Sequence, residues 1–242
     1  MASISSYKSG KGEQRYRVRY RKPDHTQTDK RGFRTRREAE RWLAENEVAK
    51  ARGEYLDPRD SRVTVAQLAD AWLANQPHLK PSSRRPIEIA WRLHVAPFWG
   101  GVSLTAIRHS DVQAWITRLS LGESTGRPLG ATSVIRAHGV LASILDSAVK
   151  DRRIHSNPAR GIRLPRKVPK ARAYLSHQQV EALAAESGAH DLLVRFLAYT
   201  GLRWGEATAL RVQDLHLLRR RVLVRSNAVN VGGVIIPGTP KS

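Results

Sequence analysis

The chain contains no cysteine and a single methionine, and aromatic residues make up only 6% of its 242 residues. Without cysteine there are no disulfides, no thiolate nucleophile and no cysteine-zinc module. No apolar run approaches the ~18–20 residues that a membrane span needs, and no signal-type apolar region follows Met1. The nine histidines are scattered without metal-ligand spacing, and no carboxylate cluster is suited to magnesium, so neither metal nor cofactor is expected. Acids are scarce as well. Asp plus Glu amount to 21 against 42 for Lys plus Arg, a formal charge of +21. Such an excess points to a polyanionic partner, and without a membrane segment that partner is nucleic acid. Phosphate chemistry on this chain would have to run on arginine and lysine.

What is present divides into units. In residues 1–55, Arg15-Tyr16-Arg17-Val18-Arg19-Tyr20-Arg21 alternates strictly, the period of a half-buried strand. Tyr16, Val18 and Tyr20 share one face; four arginines and no acid share the other. Turn-rich stretches on both sides predict a three-stranded meander with Ser5–Lys8 and Lys30–Arg34. Thr35-Arg36-Arg37-Glu38 is a capping box opening a helix whose Ala39, Trp42 and Leu43 would cover the aromatic face. Four like charges in a row repel one another, so Arg15, Arg17, Arg19 and Arg21, with Lys22, Arg31 and Arg34, are read as a nucleic-acid face.

Residues 56–62 read as a linker. Residues 63–158 carry four amphipathic helices joined by polar turns, the pattern of a bundle. The first opens on the box Thr64-Val65-Ala66-Gln67. The second starts near Ser82-Ser83, with Ile87, Ala90, Trp91 and Val95 inward and Arg84, Arg85 and Arg92 outward. The third is capped by Ser110. The fourth, from about Thr132 to Lys150, has Val134, Leu141, Leu145 and Ala148 on one stripe. Tryptophans on such stripes are expected in the core rather than stacked on bases. From Arg152 to Arg172 there are eight basic residues, three prolines and no acid, which predicts an extended basic connector, with 159–172 as the linker proper.

Residues 173–242 begin with a helix capped by Ser176. Asp191–Tyr199 is apolar nearly all round, the pattern of a buried helix. Gly201 is a natural left-handed stop, and a new helix starts near Trp204 and runs toward Gln213-Asp214. Arg203 therefore falls in an elbow between two helices, where its planar fork would be pre-organised for two oxygens of a phosphate, or would simply pair with Glu206 or Asp214. Arg221–Arg225 and Val234–Ile236 read as strands joined across Gly232-Gly233.

Thr200-Gly201-Leu202-Arg203-Trp204-Gly205-Glu206-Ala207-Thr208-Ala209-Leu210 resembles the first catalytic arginine box of the tyrosine site-specific recombinases, the phage-integrase family. His94–Leu119 and Arg152–Ala159 look like the core-binding domain of that family. The layout of residues 1–55 resembles the small domain with which many integrases grip arm-type DNA sites. The fold so implied is mainly α with small β elements: a three-stranded sheet plus helix, a four-helix core-binding bundle, and the start of an α+β catalytic domain.

The resemblance implies metal-free strand breaking and rejoining. Arg203 would neutralise a scissile phosphate, Glu206 would support it, and Lys241 would act as general acid. Core-site contacts would come from Arg84, Arg85 and Arg92 on one helix and Thr132, Ser133 and Arg136 on another. Arg166, Lys167 and Lys170 of the connector would lie along phosphates. The implied partners are double-stranded attachment-site DNA, further copies in a homotetramer, and a host DNA-bending protein, in the bacterial cytoplasm with the nucleoid. The family also needs a downstream His-x-x-Arg and a tyrosine nucleophile. All six tyrosines precede the arginine box, so the 242 residues are expected to bind DNA without cutting it. Two other readings stay open: a truncated module that occupies attachment sites and regulates recombination, and a basic scaffold or RNA-binding protein using charge alone.

Overall fold

A computed structural model describes all residues except 1, 54, 56, 58–62, 124–125, 170 and 241–242, so Lys170 and Lys241 lie outside the described residues. The alternating run forms β2 (Gln14–Arg21), the centre of an antiparallel sheet with β1 (Ser3–Lys8) and β3 (Gln27–Phe33). Its apolar face is closed by α1 (Arg36–Ala51), burying Val18, Tyr20, Phe33 and Ala39 with Trp42 and Leu43 packed against them. The Thr35 hydroxyl caps α1 by accepting the Glu38 amide at 3.1 Å. The reciprocal arm lands one residue earlier than a standard box, the Glu38 carboxylate taking the Arg34 amide at 2.8 Å.

The Cα packing resolves into two units, one of residues 1–75 and 91–164, the other of residues 76–90 and 165–242. In the first, α2 (Val65–Ala74) opens on the expected Thr64/Gln67 box. A π-helical turn, Trp91–Val95, leads into α4 (Ala96–Trp99), followed by α5 (His109–Leu121) and α6 (Ala131–Lys150). Val134, Leu141, Leu145 and Ala148 are fully buried, as their spacing predicts. Trp99 and Trp115 meet edge to face at 5.9 Å inside this core, where an aromatic pair adds to the area each ring buries.

Three elements depart from what the sequence predicts. Ser110 is not the cap of α5. The helix starts one residue before it, because extended Arg108 offers the carbonyl that accepts the first helical amides, those of Asp111 and Val112. The second bundle helix is split: α3 (Pro81–Ala90) packs with the C-terminal unit, on β6 described below, while the π-turn packs on α6. Pro86, which has no amide to donate, and the π-turn both interrupt the backbone ladder there. The basic connector is extended only in its second half. Asn157 donates to the Ala142 carbonyl and to Asp146 at 2.8 and 2.7 Å, Arg160 pairs with Asp146, and Gln113 clasps the backbone of Arg163 from both sides.

In the second unit α7 (His177–Glu186) opens on a Ser176/Gln179 box and packs against α8 (Asp191–Thr200). No residue of α8 is buried, so the buried-helix reading of its sequence is overturned: α7 covers one side, while Leu192 and Tyr199 are 74% and 53% exposed. Gly201 ends α8 in the left-handed conformation, φ 68°, as expected. The helix that follows, α9 (Trp204–Ala207), is a single turn rather than a run to Gln213. Arg221–Arg225 is a strand only at β5 (Arg221–Val222), paired with β4 (Leu215–His216). The partner of β7 (Val234–Gly238) is β6 (Asn227–Val231), with the turn at Gly232-Gly233 in place. Among the described residues of this unit only Ala90, Val180, Ala184, Glu206 and Asp214 are buried.

Candidate nucleic-acid interface and arginine cleft

On the open face of the N-terminal sheet the register puts Arg17 opposite Arg31 and Ser5, and Arg19 opposite Asp29 and Ser3. Arg19, Arg21 and Arg34 are exposed. Arg17 Nε donates to Ser5 Oγ at 2.9 Å and Arg31 Nε to Asp29 Oδ2 at 2.7 Å, while Arg15 pairs with Glu13 and Lys22 with Asp57. The face is therefore basic, with Asp29 set among its arginines. The hydrogen bond from Arg31 holds the Asp29 carboxyl below its ordinary range against the opposing effect of burial, and the charges of Arg31, Arg17 and Arg19 add to the lowering. Lys30 and Lys50, by contrast, turn inward over the rings of Trp42 and Tyr20, both at 4.8 Å from the centroid, and leave the open face.

In the bundle, Thr132, Arg136 and Arg92 are exposed and Ser133 is half-buried. Arg84 is exposed but paired with Glu88 at 2.6 Å, and Arg85 stacks so close to Gly232 that a β-carbon there would collide with its guanidinium. Arg166 and Lys167 are exposed on the extended half of the connector.

Arg203 caps α9 from an extended conformation. Its amide donates to Glu206 Oε2 at 3.0 Å and its Nη1 to Glu206 Oε1 at 3.0 Å. Glu206 is buried, and its carboxyl lies below the ordinary glutamate range because of the Arg203 amide first and the guanidinium second, which together outweigh burial. The arginine side chain itself is 69% exposed. Backbone and one guanidinium nitrogen are thus fixed from behind while the rest of the fork faces a cleft of about 610 Å³. Its lining includes Trp204, Asn227 and Asn230, with Lys80, Ser82 and Ser83 from the start of α3. Gly205 is what lets β6 close the cleft. A β-carbon there would stand 2.6 Å from the Ala228 carbonyl oxygen and closer still to Asn227 Oδ1. Asp214, the other acid considered for Arg203, instead accepts the Arg211 amide at 3.1 Å and faces Arg225.

Lys80, Ser82, Ser83 and Asn227 were not singled out by sequence reasoning. They come to the cleft through long-range packing, and no spacing signal marks them. A second missed group joins α7 to α8. Tyr199 donates to Glu181 Oε1 at 2.7 Å and shares a 2.7 Å hydrogen bond with His177 Nδ1, while Arg195 bridges Glu181 and Asp191. The bond to Glu181 raises the Tyr199 phenol above its ordinary value, opposite to what a nucleophile requires. Among the described residues no helix is long and apolar enough to cross a membrane.

A family model described as the arm DNA-binding domain matches residues 5–49, and one described as the phage integrase N-terminal SAM-like domain matches residues 64–120. The integrase of Mycobacterium phage D29 is 26% identical over 226 residues, covering 88% of this chain and 57% of that protein. The putative prophage phiRv2 integrase of Mycobacterium tuberculosis is 26% identical over 248 residues, covering 99% of this chain and 62% of that protein. The chain spans about three fifths of the length of these relatives. Among solved structures, the Tn1549 transposon integrase in complex with transposon right end DNA matches 74% of this chain and 58% of that one, with a TM-score of 0.62 at 21% identity. A lambda integrase dimer bound to a core site matches 97% and 65%, with a TM-score of 0.54 at 18% identity. At those identities the likeness is one of fold.

Proposed function

We propose that the chain is a member of the phage-integrase family of tyrosine site-specific recombinases, and that it serves integration and excision of mobile DNA by holding two classes of duplex site. Residues 5–49 grip arm-type sites through the arginine face of the sheet. Residues 63–158 and the Arg203 unit engage core-type sites, with Arg84, Arg85, Arg92, Thr132, Ser133, Arg136, Arg166, Lys167 and Lys170 as contacts. The domain limits proposed are 1–55, 63–158 and 173–242, joined by linkers at 56–62 and 159–172.

The observation that carries this reading is the anchoring of an exposed Arg203 by a buried carboxylate at the edge of a cleft that it lines. A donor fixed in that way stabilises the non-bridging oxygens of a phosphate without having to reorganise as charge develops. Glu206 supplies the fixing, and Lys241 is the proposed proton donor to the leaving 5′ oxygen. In recombination the bond energy is held in a phosphotyrosine link, so neither metal nor nucleotide is called on. Tyr199 has its phenol raised rather than lowered, and no other tyrosine in residues 1–242 is proposed as the nucleophile. These residues therefore bind without forming an adduct. Assembly of four copies on DNA, a host bending protein and a place at the nucleoid complete the proposal.

Footprinting of the 242-residue chain on an attachment-region duplex tests it. Arg17→Ala with Arg19→Ala should clear protection at arm-type sites only, and Arg203→Ala should weaken protection at core-type sites only. A nicked core duplex should give a shift without a denaturant-resistant adduct. Protection indifferent to sequence, with a salt slope as its only signature, would mean that charge alone is at work.

A further inference from the structure

The open face of the N-terminal sheet treats its arginines unequally. Arg17 and Arg31 stand directly opposite each other across β2 and β3, where the β-carbons of facing residues lie about 4.5–5.5 Å apart and like charges destabilise the pair. Each has its Nε tied to a neighbour on the same face, Arg17 to Ser5 Oγ at 2.9 Å and Arg31 to Asp29 Oδ2 at 2.7 Å. Among the described residues, no hydrogen bond or ion pair occupies the terminal nitrogens of either. Both guanidinium groups are thus fixed at the root and open at the fork. Among the described residues Arg19 and Arg21 have no such tether, and both are exposed.

A carboxylate in this place is out of keeping with a surface that only grips phosphate. Asp29 removes one unit of positive charge and repels a passing backbone. What it supplies is direction: a guanidinium held at Nε presents its two terminal nitrogens in a fixed plane. That is the geometry that meets the O6 and N7 acceptors of guanine in the major groove, whereas phosphate contact tolerates a mobile cation. A separation near 5 Å also suits two forks addressing neighbouring base pairs, which follow one another at about 3.4 Å.

We infer that Arg17 and Arg31 are the base-reading pair of the sheet, specific for guanines on adjacent base pairs, and that Asp29 and Ser5 are their positioning residues. Arg19 and Arg21 then serve the backbone. This rests on the reading of residues 5–49 as a duplex-binding domain.

The test uses the 242-residue chain and an arm-site duplex selected from a random library by the wild-type chain, with the region assigned by footprint. The quantity read is the ratio of affinities for the selected duplex and a scrambled one, together with the salt slope. Asp29→Ala should lower the ratio about tenfold while affinity for the scrambled duplex stays level or rises, since a good bidentate contact gives roughly 5- to 150-fold discrimination. Asp29→Asn keeps an acceptor for Nε and should retain most of the ratio. Arg31→Lys keeps the charge without the fork and should behave like Asp29→Ala, whereas Arg19→Lys should leave the ratio alone. Unchanged far-ultraviolet circular dichroism and thermal midpoint accompany each variant, as the Asp29, Arg31 and Arg19 side chains lie on the solvent side of the sheet. A ratio unmoved by Asp29→Ala or by Arg31→Lys overturns the inference, as does Asp29→Asn performing no better than alanine. If the wild-type chain selects a motif whose footprint survives Arg17→Ala with Arg31→Ala, the duplex-binding reading of this domain itself fails.

Discussion

Replacing Gly205 by alanine sets two effects of opposite sign against each other. In a helical turn alanine is favoured over glycine by about 0.5–1 kcal/mol, because less backbone freedom is lost. Here the new methyl would stand 2.6 Å from the Ala228 carbonyl oxygen and nearer still to Asn227 Oδ1. Asn227 can swing aside at modest cost. The Ala228 oxygen belongs to β6, so the hairpin itself must back away from α9, and overpacking of this kind costs about 1–3 kcal/mol. The net effect is a loss of about 1–2 kcal/mol, roughly a tenfold rise in local opening at 1.4 kcal/mol per decade. Amide exchange of Asn227–Val231 reads that opening directly. The contrast is Gly139 in the middle of α6, where a β-carbon would meet nothing within 4 Å and the backbone is ordinary helix. Gly139→Ala should slow exchange in α6 by the gain that Gly205→Ala forfeits. If Gly205→Ala left the β6 amides as protected as before, the close approach of hairpin and α9 would not be what shapes the arginine cleft.

Acid should release Arg203. The folded Glu206 carboxyl lies below its ordinary value near 4.5, so its anchoring contribution is complete above that pH and is lost as the pH falls through the lower, folded value. A titration of the Arg203 amide resonance should show this step, and Glu206→Gln should abolish it. In the connector, Asn157→Ala removes two donated bonds and the one its Oδ1 accepts from the Ala159 amide, for a loss of about 2 kcal/mol. Protease cleavage between Arg160 and Arg163 should rise, since that stretch is held to α6 through Asp146 and Asn157.

Signals that act within a few residues were legible in the sequence. Thr35, Thr64 and Ser176 cap the helices they were expected to cap, Gly201 stops α8, and the alternation of Arg15–Arg21 gives the two faces of β2. The side-chain stripe of α6 is a local signal too. What depends on distant partners was not legible. An apolar stretch such as Asp191–Tyr199 looks buried whatever covers it, and here α7 packs along it without burying any of its residues. Asn227–Val231 carries too little alternation to announce a strand, and it becomes one through β7 and the room left by Gly205. The Arg203–Glu206 pair was visible at i, i+3, but the lining from Lys80 to Ser83 was not, because more than a hundred residues separate those positions from Arg203.

Burial is distributed unequally between the two units, and this bears on how the chain melts. The first holds Trp115, Leu119, Leu141, Ile144 and Leu145 at essentially zero exposure, each worth about 1.5–3 kcal/mol or more of transfer free energy. Among its described residues, the second buries one valine, two alanines and two carboxylates. Heating should therefore give two transitions, with the arginine cleft lost in the first and the bundle in the second. The van't Hoff enthalpy of each would fall short of the calorimetric total, and a single Tm would describe neither.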